Sequence, residues 1–291
     1  MLRGSRRERL SALSTSYTKE SLCAGMLAEV QSVAKYMREI VRPRLDAVLS
    51  PTQREILATG IFLRSLCWME TLARLDRVQD FQAVATGARF LLEACVDLVL
   101  LDHDDTGQLS TKMLDWATSA KFAMSQDLVK FYEDKKRSIP DQYEPLNIFY
   151  ERNKSSVPSL RTKHWSGKHP PRWTNCSLLS DCRTADQLEP NRIPDELGMS
   201  LAEFHQTEIR RLHWQVHGSG ISILNNAPES WFFLTWAVGF NWSSDLAVLI
   251  SSLTMKALQF NEAIEDMDLE RKRLKGNRLS ALFEQLKNDA T

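Results

Sequence analysis

Apolar residues recur at spacings of three and four over most of this chain, and that pattern excludes most folds. Between Phe81 and Val99 the stripe reads Phe81, Val84, Ala88, Leu91, Leu92, Cys95 and Val99. Such a stripe fits one face of a buried helix and lacks the alternation of a half-buried strand. The same spacing runs from Glu20 to Val48 through Leu27, Val30, Ala34, Met37 and Val41. Pro43 is expected to bend or end that helix, and Ser50-Pro51-Thr52 to start the next, from Gln53 to Leu75. Lys112 to Arg137 gives a further amphipathic helix, preceded by a turn at His103 to Gly107. Only 11 Gly and 10 Pro occur in 291 residues, so turn signals are few. Seven of the prolines fall between Pro140 and Pro194, which marks 140–195 as an irregular segment. Helix resumes near Ser200, stops at Gly218-Ser219-Gly220 and restarts near Pro228. The expectation is an all-α multi-helix bundle with a Pro-rich irregular insertion (140–195) between N-terminal (1–139) and C-terminal (196–291) helices, forming one compact domain.

Composition narrows the function classes. A hydrophobic content of 43% excludes disorder as the global state. The 37 Lys and Arg balance 37 Asp and Glu, which excludes a uniformly basic nucleic-acid coat but not a local basic patch. Cys23, Cys67, Cys95, Cys176 and Cys182 form no C-x-x-C pair; Cys67 and Cys95 read as small buried apolar residues. Cys176 and Cys182 read as two reduced thiols, with a bridge or ligand pair as the other reading. No apolar run follows the basic residues Arg3, Arg6, Arg7 and Arg9, so no secretory signal is read and a cytoplasmic protein is expected. Trp231 to Ile250 is long enough to span a bilayer, but Asn241, Ser243, Ser244 and Asp245 interrupt it. A buried helix and no membrane partner are expected. From Glu262 to Asn288 an acidic block precedes a basic one, which suits a solvated helix face with pairs such as Asp268 with Lys272.

The common catalytic signatures are absent: no G-x-G-x-x-G, Walker A loop, H-E-x-x-H or G-x-S-x-G occurs. One dense constellation remains, from Glu208 to Ser219. On an ideal helix Arg210, His213, Trp214 and His217 share a stripe, with Arg210 and His217 only about 20° apart. Arg211 lies about 120° from His217 and reaches it only if the helix distorts near Gly218. A histidine titrating near neutrality moves protons, and a guanidinium clamps a phosphate. That set suits phosphodiester cleavage without metal. The other readings are a polar seam held by carboxylates such as Glu93, or a metal site on His213 and His217. No third ligand lies nearby, so neither a metal nor a cofactor is expected.

The Arg-x5-His of Arg211 to His217, or the x6 spacing from Arg210, resembles the motif of the HEPN superfamily of nucleotide-binding helical domains. Arg89-Phe90-Leu91-Leu92-Glu93, His164-Trp165-Ser166-Gly167-Lys168 and Leu212 to Ser219 together are similar to a bacterial all-helical family of unknown function near that superfamily. The resemblance spans more than half the chain. It implies an all-α domain, often a homodimer, in which many members are metal-independent RNases. It further implies that Arg211 or Arg210 binds phosphate and that His217 is the acid/base. Leu212 stands where the family often has a polar residue, with His213 one step displaced. The same resemblance allows a catalytically silent interaction module in a defence or toxin–antitoxin assembly. Arg89 and Glu93, four apart, read as an intrahelical ion pair, or as support for His217 or Arg211.

The central segment adds a further indication. No acidic residue occurs between Glu151 and Asp181, while Arg152, Lys154, Arg161, Lys163, Lys168 and Arg172 do, interleaved with His164, Trp165, His169 and Trp173. Basic groups for phosphates and aromatic faces for stacking suit single-stranded RNA, with Lys163, His164, Trp165, Lys168 and Arg172 as contacts. The alternative is a solvated loop that the two Trp anchor to the bundle.

Overall fold

The computed structural model describes residues 19–210, 212 and 229–260, and no strand occurs among them. The helices are α1 (Lys19–Tyr36), α2 (Arg42–Asp46), α3 (Gln53–Leu72), α4 (Phe81–Asp102), α5 (Gln108–Asp134) and α6 (Glu144–Asn153). There follow α7 (Ser156–Trp165), α8 (Leu178–Leu188), α9 (Arg192–Leu197), α10 (Leu201–Phe204) and α11 (Glu229–Ala257). The protein is an all-α bundle.

The predicted stripe of α4 is its centre. Val84, Ala88, Leu91, Leu92, Cys95 and Val99 have no exposed surface, and α4 packs against α3, α8 and α11. Helix α11 carries the apolar run that resembles a membrane span. Among the described residues no helix is long and apolar enough to cross a membrane. Instead Trp236, Phe240, Leu246, Leu249, Ile250 and Leu253 are buried against the bundle. Three of its buried hydroxyls are satisfied within the helix: Ser243, Ser251 and Thr254 donate to the carbonyls of Gly239, Ala247 and Ile250.

Gly239 sets how closely α11 approaches α4. A Cβ there would lie 2.7 Å from Val84 Cγ1, on a β-branched side chain that cannot swing aside. Gly239→Ala is therefore expected to cost about 1–3 kcal/mol, read from chemical denaturation midpoints.

Three expectations change. Cys67, read as buried, is exposed, while Cys95 is buried as expected. Pro43 does not end the first helix: the chain widens into a π turn over Met37–Val41, and Pro43 then lies in the first turn of α2. The wider turn accommodates a proline ring that an α-turn would press against the carbonyl four residues earlier. The 140–195 segment is not irregular, since α6, α7, α8 and α9 occupy most of it. Three of its seven prolines mark helix starts. Pro145 is at the start of α6, and Pro158 and Pro194 each stand third in α7 and α9, where a missing N–H leaves no intrahelical bond unmade. Helices α6 and α7 pack on α5 as an outer layer.

Candidate functional site

One side of α4 carries a chain of charges. Arg89 Nε lies 3.3 Å from Glu93, one turn along the helix. The other oxygen of Glu93 lies 3.5 Å from Arg172, which also reaches Asp97 at 2.7 Å and Asp181 at 2.8 Å. Trp173 Nε1 donates to Asp97, and the Thr174 hydroxyl to Asp181. Arg172 thus holds three carboxylates from two helices. Burial is the largest influence on Asp97, pushing its carboxyl up to about 6 despite the opposing pull of Arg172. Those carboxylates in turn hold the Arg172 proton more firmly against burial.

Next to this chain lies His205. Helix α10 is fixed by Asp186, whose carboxylate accepts the N–H groups of Leu201 and Ala202 at 2.7 and 2.9 Å. Ser200 caps the same helix by accepting from Glu203 N–H. A π turn over His205–Ile209 follows, packed on α4 and α8, and the Phe204 ring meets Trp242 edge-on. Trp242 Nε1 donates to Glu208 at 3.3 Å. The Arg210 N–H bonds the His205 carbonyl, five residues back, which closes one π turn. On an α-helix side chains five apart diverge by about 140°. The π turn narrows that angle, so the two residues lie closer to one face than an α-helix would set them.

The imidazole stands in a definite field. Its Nδ1 is buried and has no hydrogen-bond partner. Burial lowers its affinity for a proton first, and the charges of Arg89 and Arg210 lower it further, with Glu93 opposing. Burial and the charges of Arg89 and Arg210, from two different elements, thus all favour the neutral ring. Arg210 is exposed, and the Arg89 side chain is 40% exposed.

The residues expected from the sequence divide into three groups. Arg89 and Glu93 are paired, and both, with Arg210, act electrostatically on His205. His217, Arg211 and His213 lie outside the described residues. The central basic segment does not present the expected surface. Trp165 and Trp173 are 4% and 2% exposed, so neither offers a face for a base to stack on. Trp165 Nε1 donates to the Trp173 carbonyl, Trp116 Nε1 to the Pro170 carbonyl, and Arg172 is spent on its carboxylates. His164 Nε2 lies 2.8 Å from Asp115, with Lys163 at 3.9 Å from the same oxygen. Lys163 and Lys168 remain exposed.

His169 and Ser119 form a second pair, Nδ1 to Oγ at 3.0 Å, with Arg161 Nε donating to the same hydroxyl at 2.8 Å. Ser119 has no exposed surface, so this pair clasps the segment after α7 onto α5 rather than serving as a nucleophile. Asp102, His103 and Glu189 are the one trio with metal-ligating atoms close together among the described residues. Lys256 already lies between the two carboxylates, at 2.6 and 2.9 Å, and Arg54 donates to the carbonyls of Asp102 and Ala257. This cluster joins the C-terminal ends of α4 and α11, where cations are favoured.

His205 is the residue that sequence reasoning missed. Helical-wheel geometry separates it from Arg210, and the widened turn narrows that separation. Compared with family models, with curated proteins and with solved structures, the chain finds no match in any of the three.

Proposed function

We propose that this chain is a HEPN-like RNA-binding protein that cleaves phosphodiesters by His and Arg chemistry without metal. What supports this most is that Arg210, from the Arg-His stretch, and Arg89 and Glu93 of α4 all act electrostatically on the one imidazole of His205. Two guanidinium groups that reach solvent and act on one imidazole suit a phosphodiester, which each can bind in a fork. Arg210 or Arg211 then neutralises the phosphate, and His217 carries the proton. In this reading the protein acts in the cytoplasm as a homodimer. A second reading, a catalytically silent helical interaction module of a defence or toxin–antitoxin assembly, is favoured by the burial of Trp165 and Trp173. Their burial removes the stacking faces of the central segment.

RNA affinity tests whether Arg89 and Arg210 serve one ligand. Arg89→Gln and Arg210→Gln are each expected to weaken binding of a short single-stranded RNA about tenfold or more, at the strength of charged hydrogen bonds. The double variant is expected to lose clearly less or more than the sum, since neighbouring groups on one ligand couple. Unchanged affinity in both single variants contradicts the reading.

A further inference from the structure

We propose that Ser119, Arg161 and His169 form a proton-operated latch, which holds the loop 166–171 on α5 and opens it when His169 takes up a proton. The loop leaves α7 through two residues of positive φ, Ser166 at 53° and Gly167 at 84°. It ends where Arg172 and Trp173 are fixed to Asp97 of α4. Between those ends it meets α5 through His169 and Pro170. His169 Nδ1 lies 3.0 Å from Ser119 Oγ, and the imidazole stacks on Trp116 with ring centroids 5.7 Å apart. Trp116 Nε1 donates to the Pro170 carbonyl at 3.0 Å.

The Ser119 hydroxyl sets the protonation state of the ring. Arg161 Nε donates to its oxygen at 2.8 Å, and a guanidinium accepts nothing in return. The hydroxyl proton therefore goes to His169 Nδ1, which must carry none itself. A proton on Nδ1 reverses that bond. One buried oxygen then stands between two cationic donors, and its own hydrogen must turn away. Nothing nearby offsets the new charge. Residues 152–180 hold no acidic side chain, and Lys168 precedes His169 in the loop. On α5, one turn before Ser119, Asp115 is already taken by His164 at 2.8 Å, with Lys163 at 3.9 Å. The α5 lysines to either side lie at the Thr174 carbonyl (Lys112) and over the Phe149 ring (Lys121).

In the closed loop burial, and then the charge of Arg161, hold the His169 imidazole below its ordinary value. In the open loop the ring is in water and regains that value, so the open form takes up the proton more readily. Opening is thus favoured as the pH falls below 6.5, by at most about tenfold per pH unit for one proton, and the loop stays closed above it. Asp97 acts oppositely at the far anchor. Raised to about 6 by burial, its carboxyl holds a proton more firmly with Arg172 and Trp173 in place. The change on acidification is therefore confined to the loop, while Trp173 stays seated.

The test is solvent exchange of the tryptophan indole N–H groups in the full chain, followed by NMR from pH 7 to pH 5 and taken relative to free tryptophan at each pH. Trp116→Phe identifies the Trp116 signal among the eight tryptophans, and Trp173 is the reference. The expected result is a severalfold fall in Trp116 protection below pH 6.5, with Trp173 unchanged. In His169→Gln, whose amide oxygen accepts from Ser119 at any pH, that fall is abolished. If this variant does not fold, Ser119→Ala serves, and its Trp116 indole exchanges readily already at pH 7. Trp116 protection that is constant from pH 7 to pH 5, or that falls equally in His169→Gln, overturns the proposal. So does wild-type behaviour in Ser119→Ala, or a fall shared by Trp173, which marks general unfolding.

Discussion

Replacing Arg172 by Met is expected to destabilise the protein by about 3–5 kcal/mol, the cost of leaving buried charges without their partner. The side chains of Asp97 and Asp181 are 15% and 5% exposed, and Arg172 is the cation that faces both. Met matches the length of the Arg stem but supplies no charge and no donor, so the two carboxylates must either stay ionised and unpaired or take up protons. The loss is therefore pH-dependent. At pH 7 it is largest, and below pH 6 it shrinks as the Asp97 carboxyl protonates.

Asp97 itself gives the sign. Its carboxyl is raised to about 6 in the folded protein, above the value of an unfolded chain. The folded state thus holds this proton more tightly, and the group adds stability as the pH falls through 6 towards 4. His169 and His205, both held below the ordinary imidazole value mainly by burial, act in the opposite direction as the pH falls through 6.5. Comparing wild type with Asp97→Asn by denaturation at pH 7 and pH 5 isolates the carboxyl contribution. The wild type gains on the variant as the pH falls; an identical pH dependence in the two proteins contradicts the assignment.

The bundle was legible because its signal is long and periodic. The α4 stripe is read straight from the spacing of Val84 to Val99, and the hydroxyls and Asp245 within α11 mark it as a buried helix rather than a membrane span. The 140–195 helices were hidden because prolines read as breaks wherever they stand. Pro145, Pro158 and Pro194 all lie in first turns, where the same residue begins a helix. Burial of Trp165 and Trp173 was one of two readings the sequence left open, since basic and aromatic residues interleave alike in an RNA-binding loop and in one anchored by its aromatics. Glu93 and Arg89 were legible as a pair by their spacing of four. Arg172 joined them from a distant segment, which no local pattern reveals. His205 escaped because a π turn breaks the periodicity on which helical-wheel reasoning depends.

The second large effect is on catalysis. In the proposed reaction a 2′-hydroxyl loses its proton, its oxygen bonds to phosphorus, and the bond to the 5′-oxygen breaks. That leaving oxygen takes up a proton, giving a cyclic phosphate and a 5′-hydroxyl. Both proton transfers need a group titrating near neutrality, and the negative charge that grows on the phosphate oxygens needs fixed cations. No step requires a metal. General acid–base groups of this kind contribute about 10²–10⁴-fold, so His217→Ala is expected to lower the cleavage rate by that factor. Loss of one fixed cation at the phosphate, as in Arg210→Ala, is expected to cost about 10²–10³-fold.

The most direct measurement is incubation of the purified protein with mixed RNA in EDTA, beside His217→Ala and Arg210→Ala. Cleavage by the wild type that persists in EDTA and is lost in both variants is the result predicted. Equal cleavage by all three proteins, or none by the wild type, contradicts it.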